Sequence, residues 1–234
     1  MIDVQKLRSD FPILAREVNG KQLVYLDNGA SSQKPQIVID AISNAYSNEY
    51  SNVHRGLHYL SNLATDNYEN VRSIVQKFLC AEFEEEIVFT SGTTEGINLA
   101  AYSWGMEHLK NGDEIILSVM EHHANIVPWH FLRERYGIKI KWIDCDINGN
   151  IDPQAVIDQF SDRTKLLAIT HMSNVLGTIV DVKTLCHEAG KRGIESCRAG
   201  RATVGAVWAE GGERGAAAGP GGEGKIGGSG RTSK

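Results

Sequence analysis

The alternation of strand-like and helix-like segments between residues 87 and 190 is the feature that most restricts the fold of this chain. Short apolar runs predict strands, and the segments between them repeat apolar residues at helical spacing. The predicted strands are 87–90, 114–119, 138–143 and 166–170, and the predicted helices are 97–109, 124–136, 153–160 and 182–190. Such alternation favours a mostly parallel sheet with helices on both faces. We therefore predict an α/β fold with three layers.

The segment before residue 87 is predicted to be mainly helical. Helices are expected at 4–11, at 37–50 after Pro35, and in a long stretch over 63–79. Residues 23–26 form a short apolar run, which predicts one further strand.

Composition narrows the classes of protein to which the chain can belong. Hydrophobic residues make up 41% and charged residues 23%, which is typical of a soluble globular protein. A net charge of -5 gives no reason to expect a nucleic-acid partner, and no apolar run approaches the roughly 20 residues that span a membrane. The start lacks a secretory signal, and the four cysteines are widely spaced, so we expect reduced thiols and a cytoplasmic location.

Polar sequences follow three of the predicted strands. They are S-G-T-T-E-G at 91–96, E-H-H-A-N at 121–125 and H-M-S-N-V-L-G at 171–177. In a parallel sheet, ligands bind outside the carboxyl ends of the strands, and all three sequences fall at that edge. They therefore predict a ligand site there.

Thr93 and Thr94 lie in a glycine-bearing turn between a strand and a helix. Backbone N–H groups and the positive end of the helix dipole converge at such a turn, where they bind phosphate readily. An ordinary helix cap, in which a threonine bonds its own backbone, is the alternative.

His122 has three possible roles. With Glu121, His123 or His130 it could bind a metal, although the spacing of a metal site is missing. It could also be a polar residue at a helix start, or an imidazole that stacks on a flat aromatic ligand.

Asn174, His54 and Arg55 are further candidates. Asn174 follows a strand and could hold a ligand oxygen or form a turn. His54 and Arg55 could bind a carboxylate or phosphate, or belong to a solvated loop. A phosphate anchor, a stacking ring and an amide together fit pyridoxal phosphate. A mononucleotide is the competing ligand, but its glycine-rich fingerprints are absent.

The composition changes after residue 193. Residues 195–234 hold 12 of the 24 glycines, with few large apolar residues. Such a segment buries too little apolar surface to offset the entropy of ordering it. We therefore divide the chain into a domain at 1–193 and a disordered or loosely packed tail at 194–234.

Five runs of residues within 1–193 resemble a known family. They are V-Y-L-D-N-G-A-S-S-Q-K-P, V-H-R-G-L-H-Y-L-S, T-S-G-T-T-E-G-I-N-L, M-E-H-H-A-N-I-V-P-W and A-I-T-H-M-S-N-V-L-G-T. In order and spacing they are similar to the cysteine desulfurases of the class V aminotransferase group, above all to the type II, SufS-like branch. The resemblance implies the fold-type I architecture of pyridoxal-phosphate enzymes and a homodimer. It also implies transfer of sulfur from L-cysteine, which leaves L-alanine, to an acceptor protein of iron-sulfur cluster assembly.

The resemblance also implies roles for individual residues. Thr93 and Thr94 would hold the cofactor phosphate, His122 would stack on the pyridine ring, and Asn174 would bond its phenolic oxygen. His54 and Arg55 would lie near the substrate entrance.

The chain departs from the family pattern after residue 193. The family continues with a strand ending V-D-G-x-Q, whose aspartate pairs with the pyridine nitrogen, and then with S-G-H-K, whose lysine carries the cofactor as a Schiff base. Here the sequence reads I-E-S-C-R-A-G-R-A-T-V, and Lys225 stands among unrelated neighbours. None of the cysteines matches the family's nucleophile loop. We therefore expect a truncated desulfurase, inactive as this chain. The alternatives are a non-enzymatic binding or dimerisation module, and a different class V activity such as a selenocysteine lyase.

Overall fold

Strands and helices alternate in a computed structural model that describes residues 2–199 and the backbone of residues 207–209. The strands are β1 (Glu17–Val18), β2 (Lys21–Gln22), β3 (Glu114–Ser118), β4 (Lys139–Ile143), β5 (Thr164–Thr170), β6 (Glu195–Ala199) and β7 (Val207–Ala209). The helices are α1 (Val4–Ser9), α2 (Gln36–Asn44), α3 (Tyr59–Leu79), α4 (Thr93–Ala100), α5 (Met106–His108), α6 (Val127–Tyr136), α7 (Pro153–Ile157) and α8 (Val182–Gly190). The π-helical turns Ala45–Glu49 and Ala101–Gly105 extend α2 and join α4 to α5.

The main sheet of the described chain has the strand order β4-β3-β5-β6-β7. β4, β3, β5 and β6 are parallel, and only β7 runs antiparallel to its neighbour. Each parallel pair is joined by a crossover that contains a helix, as parallel strands require. The predicted α/β fold with a mostly parallel sheet is confirmed.

Alternate side chains of the strands enter two separate cores, one on each face of the sheet. On one face Ile115, Leu117 and Leu166 pack with Trp129 of α6 and Ile97 of α4. On the other face the core is formed by a second set: Ile116, Leu167, Ile169, Val156 of α7 and Leu185 of α8. Because neighbouring strand residues point to opposite faces, the continuous apolar runs of β3 and β5 fill both cores. The sheet is therefore the middle of three layers, as predicted.

Local capping signals set the starts of the helices on the second face. The Asp152 side chain accepts a hydrogen bond from the Gln154 N–H at 2.9 Å, and Asp181 accepts one from the Thr184 N–H at 3.1 Å. These bonds satisfy N–H groups that a helix start leaves without a partner. Both predicted caps are confirmed, although α7 ends at Ile157, earlier than expected.

Two predicted strands are wrong. Residues 23–26 and 87–90 have no strand structure, although β2 ends just before the first of these segments. Both segments lack a pairing partner in the described chain, and a strand exists only where another strand pairs with it. Ile87 is buried, but Val88 and Phe89 are 63% and 41% exposed. The segment is therefore held in an extended conformation neither by strand pairing nor by burial of most of its side chains.

The expectation of a loose or disordered tail from residue 194 is wrong for its first residues. β6 pairs with β5 from Leu166↔Glu195 to Thr170↔Ala199, and Ser196, Cys197 and Ala199 are buried. Main-chain hydrogen bonds form this pairing, and Cys197 and Ala199 belong to the core that contains Ile115 and Trp129. Residues 200–206 and 210–234, including Lys225, lie outside the described residues, so the division of the chain at residue 193 stays a prediction.

The first third of the chain is far less buried than the sheet. Helices α1 and α2 have no buried residue, and α3 has only Ser61. Large apolar side chains remain exposed there, among them Leu26 at 90% and Leu57 at 102%. Among the described residues, no helix is long and apolar enough to cross a membrane.

Candidate functional site

The start of α4 presents backbone donors at the carboxyl edge of the sheet. α4 begins at Thr93, directly after Gly92, and no side chain among the described residues caps it. The first N–H that finds a helical acceptor is that of Gly96, which bonds the Gly92 carbonyl at 3.0 Å. The N–H groups of the first turn, including those of Thr93 and Thr94, have no acceptor within the helix, and the dipole is positive there. This geometry suits an anion.

Glu95 does not compete for these donors, because its side chain turns back to the preceding residues. One carboxylate oxygen accepts from both the N–H and the hydroxyl of Ser91, each at 2.6 Å. These two hydrogen bonds lower the pKa of Glu95, so it is ionised at neutral pH.

A pocket lies between the start of α4 and the ends of β3 and β5. Its lining includes Thr93, Thr94, His122 and Asn174, which come from three separate polar sequences. The structure therefore brings four of the six predicted site residues together, as expected of a parallel sheet. Their roles toward a cofactor stay predictions.

His122 has a defined ring orientation. Its Nδ1 accepts a hydrogen bond from the Ala124 N–H at 3.1 Å, and its ring meets that of His123 edge-on, with 6.1 Å between ring centroids. Because Nδ1 is an acceptor, the proton of a neutral imidazole lies on Nε2. The backbone two residues further on therefore holds the His122 side chain at the wall of the pocket.

Glu121 is buried beside His122 and bonds to three separate elements. Oε1 accepts from the Ser118 hydroxyl at 2.5 Å and from the Thr170 N–H at 2.9 Å, and Oε2 accepts from the Asn125 amide at 2.8 Å. Burial raises the pKa of Glu121, and these hydrogen bonds offset the shift only in part. The sequence alone did not identify this role, because the Thr170 donor comes from a distant strand.

Metal binding has no geometric support in the described part of the chain. No group of three His, Cys, Asp or Glu side chains among these residues is placed to hold a metal ion. Glu121, the carboxylate considered beside His122, already accepts three hydrogen bonds.

His54 and Arg55 do not line this pocket. His54 adopts a left-handed backbone conformation with φ 65°. The Nε2 of its imidazole lies 3.0 Å from Glu69 Oε1, and its main-chain N–H donates to the Thr65 hydroxyl at 3.0 Å. Arg55 is exposed. Their predicted place near a substrate entrance stays a prediction.

Ala199 is a site residue that the sequence analysis missed. It ends β6 opposite Thr170 and lines the pocket with a methyl group. This is the strand for which the family resemblance implies an aspartate that pairs with a pyridine nitrogen. Among the described residues, Thr93 and Thr94 fit the phosphate of pyridoxal phosphate, and His122 fits its ring face. The described residues supply neither a partner for the ring nitrogen on β6 nor a lysine in the pocket lining.

The buried thiol of Cys197 is expected to be unreactive. Burial, with a contribution from the nearby Glu121 carboxylate, raises its pKa to about 12. The thiolate is the reactive form of cysteine, so Cys197 should resist alkylation at pH 8 while the exposed Cys80 reacts. A maleimide pulse followed by peptide mass spectrometry measures the labelling rates of both cysteines. In urea the two rates should become equal. Rapid labelling of Cys197 in the native chain would show that β6 opens readily.

Fold and pocket together define a class of protein: a three-layer α/β protein with a candidate site for an anionic ligand at a helix start beside a histidine. Residues 24–197 match the family described as aminotransferase class-V. The chain belongs to this family of pyridoxal-phosphate enzymes, as the resemblance implied.

Several relatives carry the name cysteine desulfurase. The protein of that name from Salmonella newport (strain SL254) is 53% identical over 192 residues, which are 81% of this chain and 47% of that protein. The apo structure of cysteine desulfurase from Thermococcus onnurineus NA1 superposes with a TM-score of 0.76 at 36% identity, over 85% of this chain and 47% of that one. The structure of the cysteine desulfurase CsdA from Escherichia coli gives a TM-score of 0.71 at 33% identity, over 85% of this chain and 48% of that one. The chain thus spans about half the length of the relatives that it matches.

Proposed function

We propose that this chain is the N-terminal half of a cysteine desulfurase of the type II, SufS-like branch. The parent enzyme takes sulfur from L-cysteine, leaves L-alanine and holds the sulfur as a persulfide. The observation that carries the proposal is the shared pocket of Thr93, Thr94, His122 and Asn174 at the carboxyl edge of the sheet. The 53% identity to the Salmonella protein supports the choice of reaction.

Each pocket residue has a role that its chemistry supports. The first-turn N–H groups of α4 and the hydroxyls of Thr93 and Thr94 hold the phosphate of pyridoxal phosphate. His122 lies against the ring, and the amide of Asn174 donates to the phenolic oxygen. When bound, the cofactor supplies an electron-withdrawing ring that weakens bonds at the substrate carbon. The protein residues bind and orient it.

We propose further that the chain does not carry out the reaction by itself. Ala199 gives β6 no acid toward the ring nitrogen, and the alkaline pKa of Cys197 makes it a poor sulfur acceptor. The composition change after residue 193 supports a frameshift or a mis-joined gene. Reading the encoding DNA in all three frames beyond the codon for Gly193 tests this. A neighbouring frame that spells V-D-G-x-Q followed by S-G-H-K supports the frameshift, and its absence from every frame refutes it.

Two assays on the 234-residue chain test the proposal. Pyridoxal phosphate titrated against tryptophan fluorescence should show saturable binding, while L-cysteine should yield no alanine above the cofactor-only control. Borohydride should not fix the cofactor to a lysine. Absence of saturable binding would refute the cofactor site. Alanine formation would refute the proposed inactivity, and a reduced adduct at Lys225 would refute the absence of a cofactor-bearing lysine.

A non-enzymatic role in association is the second candidate, and the exposed apolar surface of the first third of the chain favours it. Large exposed apolar patches mark surfaces that bind a partner or aggregate. The partner would be a second copy, a full-length desulfurase or a sulfur acceptor of iron-sulfur assembly, in the cytoplasm.

The chain is expected to sediment as an assembly larger than its 25.7 kDa monomer, because association covers the exposed apolar side chains. Sedimentation velocity across a tenfold concentration range measures this. A monomer that melts cooperatively would contradict both the association and the truncation.

A further inference from the structure

We infer that Glu121 is a positioning residue for His122. Through hydrogen bonds, Glu121 fixes the segment that contains His122 against the ends of β3 and β5. The inference rests on the proposed pyridoxal-phosphate site. It assigns a role to a buried carboxylate that the proposed chemistry does not use.

The carboxylate ends a directed chain of hydrogen bonds. Trp129 Nε1 donates to Asn125 Oδ1 at 3.1 Å, and Asn125 Nδ2 donates to Glu121 Oε2 at 2.8 Å. Trp129 and Asn125 are both 0% exposed, so water does not replace either bond. An indole N–H can only donate, so it fixes the orientation of the Asn125 amide, which in turn requires an acceptor at Glu121.

The other carboxylate oxygen reaches the sheet. Oε1 accepts from the hydroxyl of Ser118 at the end of β3 and from the main-chain N–H of Thr170 at the end of β5. Glu121 therefore ties two strand ends to the segment in which His122 is the next residue. On the other side, the Ala124 N–H bonds to His122 Nδ1. The imidazole is thus anchored both through the backbone before it and by the turn after it.

A glutamine at position 121 has nearly the same size but cannot satisfy these donors. In one orientation its amide N–H₂ faces the Asn125 N–H₂, and in the other it faces the Thr170 N–H. Turning the Asn125 amide only moves the conflict to the Trp129 N–H. Buried donors that face each other are costly, so the segment must shift and His122 with it.

Cofactor affinity of the full chain tests the inference, with Glu114 as the matched control. Glu114 is a buried carboxylate at the opposite end of β3, where Lys141 Nζ lies at 2.7 Å and the Ser161 hydroxyl donates at 2.6 Å. Glu121→Gln should weaken pyridoxal-phosphate binding about tenfold, because small displacements of a binding group are costly. Glu114→Gln should lower the melting temperature but leave the dissociation constant within about twofold. If Glu121→Gln does not fold, Ser118→Ala removes a single donor and should weaken binding about threefold.

A double-mutant cycle separates positioning from direct contact. In a His122→Ala background, Glu121→Gln should change the dissociation constant less than about twofold, because the group through which it acts is gone. A full tenfold effect in that background would overturn the inference, as would equal effects of Glu114→Gln and Glu121→Gln in the parent chain.

A second measurement does not depend on the cofactor. In nitrogen-15 spectra of the unliganded chain, Glu121→Gln should shift the imidazole signals of His122, and Glu114→Gln should not. If the chain does not bind cofactor, the proposed function fails, while these signals still decide the positioning role. Unchanged His122 signals would overturn it.

Discussion

Thr94→Asp is expected to weaken pyridoxal-phosphate binding about 100-fold or more without destabilising the chain. A carboxylate in the first turn of α4 occupies the positive end of the helix, which stabilises a helix by about 0.3–1 kcal/mol. The same charge repels a phosphate at that position. At an effective dielectric constant near 20, two unit charges about 4 Å apart interact by roughly 4 kcal/mol. Even half of that repulsion weakens binding about 30-fold.

Thr94→Asn is the matched control, because asparagine has the shape of aspartate without its charge. We expect Thr94→Asn to weaken binding only a few-fold, through loss of the hydroxyl, and Thr94→Asp to weaken it about 100-fold or more. Fluorescence titration gives the dissociation constants, and thermal melting at equal protein concentration gives the stabilities. If the two variants bind equally, the phosphate does not lie at the start of α4.

Ile116→Ala is expected to have the largest effect on stability. Ile116 lies in β3, is 0% exposed and belongs to the core that also contains Leu167 and Leu185. Its truncation removes buried methyl groups and leaves a cavity between the sheet and the helices, which costs about 2–5 kcal/mol. Domains of this kind have only about 5–15 kcal/mol of stability in total. The urea midpoint should therefore fall sharply, or folding should be lost.

Ile147→Ala provides the same chemical change at a site that is 100% exposed. It should alter the free energy of unfolding by less than about 0.5 kcal/mol. Both variants should be unfolded in urea at the same protein concentration, because association changes apparent stability. Similar midpoints for the two variants would mean that the second core is not formed in solution.

β3 and β5 were predictable because buried parallel strands carry continuous apolar runs, whereas β4 is a half-exposed strand in which lysines alternate with Ile140 and Trp142. β3, β4 and β5 lie within a few residues of the predicted strands. β6 was missed because Ser196, Cys197 and Ala199 lack the large β-branched side chains by which strands are recognised. Residues 87–90 have such side chains but pair with no other strand in the described part of the chain, so here the same rule predicted a strand that does not form.

The pocket was predictable only in part. Thr93, His122 and Asn174 each follow a predicted strand, and the geometry of parallel sheets implied that they meet. The sequence could not show that His54 pairs with Glu69, or that Ala199 ends a strand at the pocket. Both observations depend on how distant segments are placed.

The sequence by itself determined the features that arise over a few neighbouring residues. The helix caps at Asp152 and Asp181 and the continuous apolar runs of β3 and β5 depend on local hydrogen bonds and on the order of neighbouring side chains. Only the tertiary structure decided which strands pair and which donors the carboxylate of Glu121 receives. The bond from Thr170 to Glu121 joins residues 49 positions apart, and no local pattern encodes it. The carboxylate of Glu121 can connect these segments only after the sheet has formed, because strand pairing positions the donors on Ser118 and Thr170.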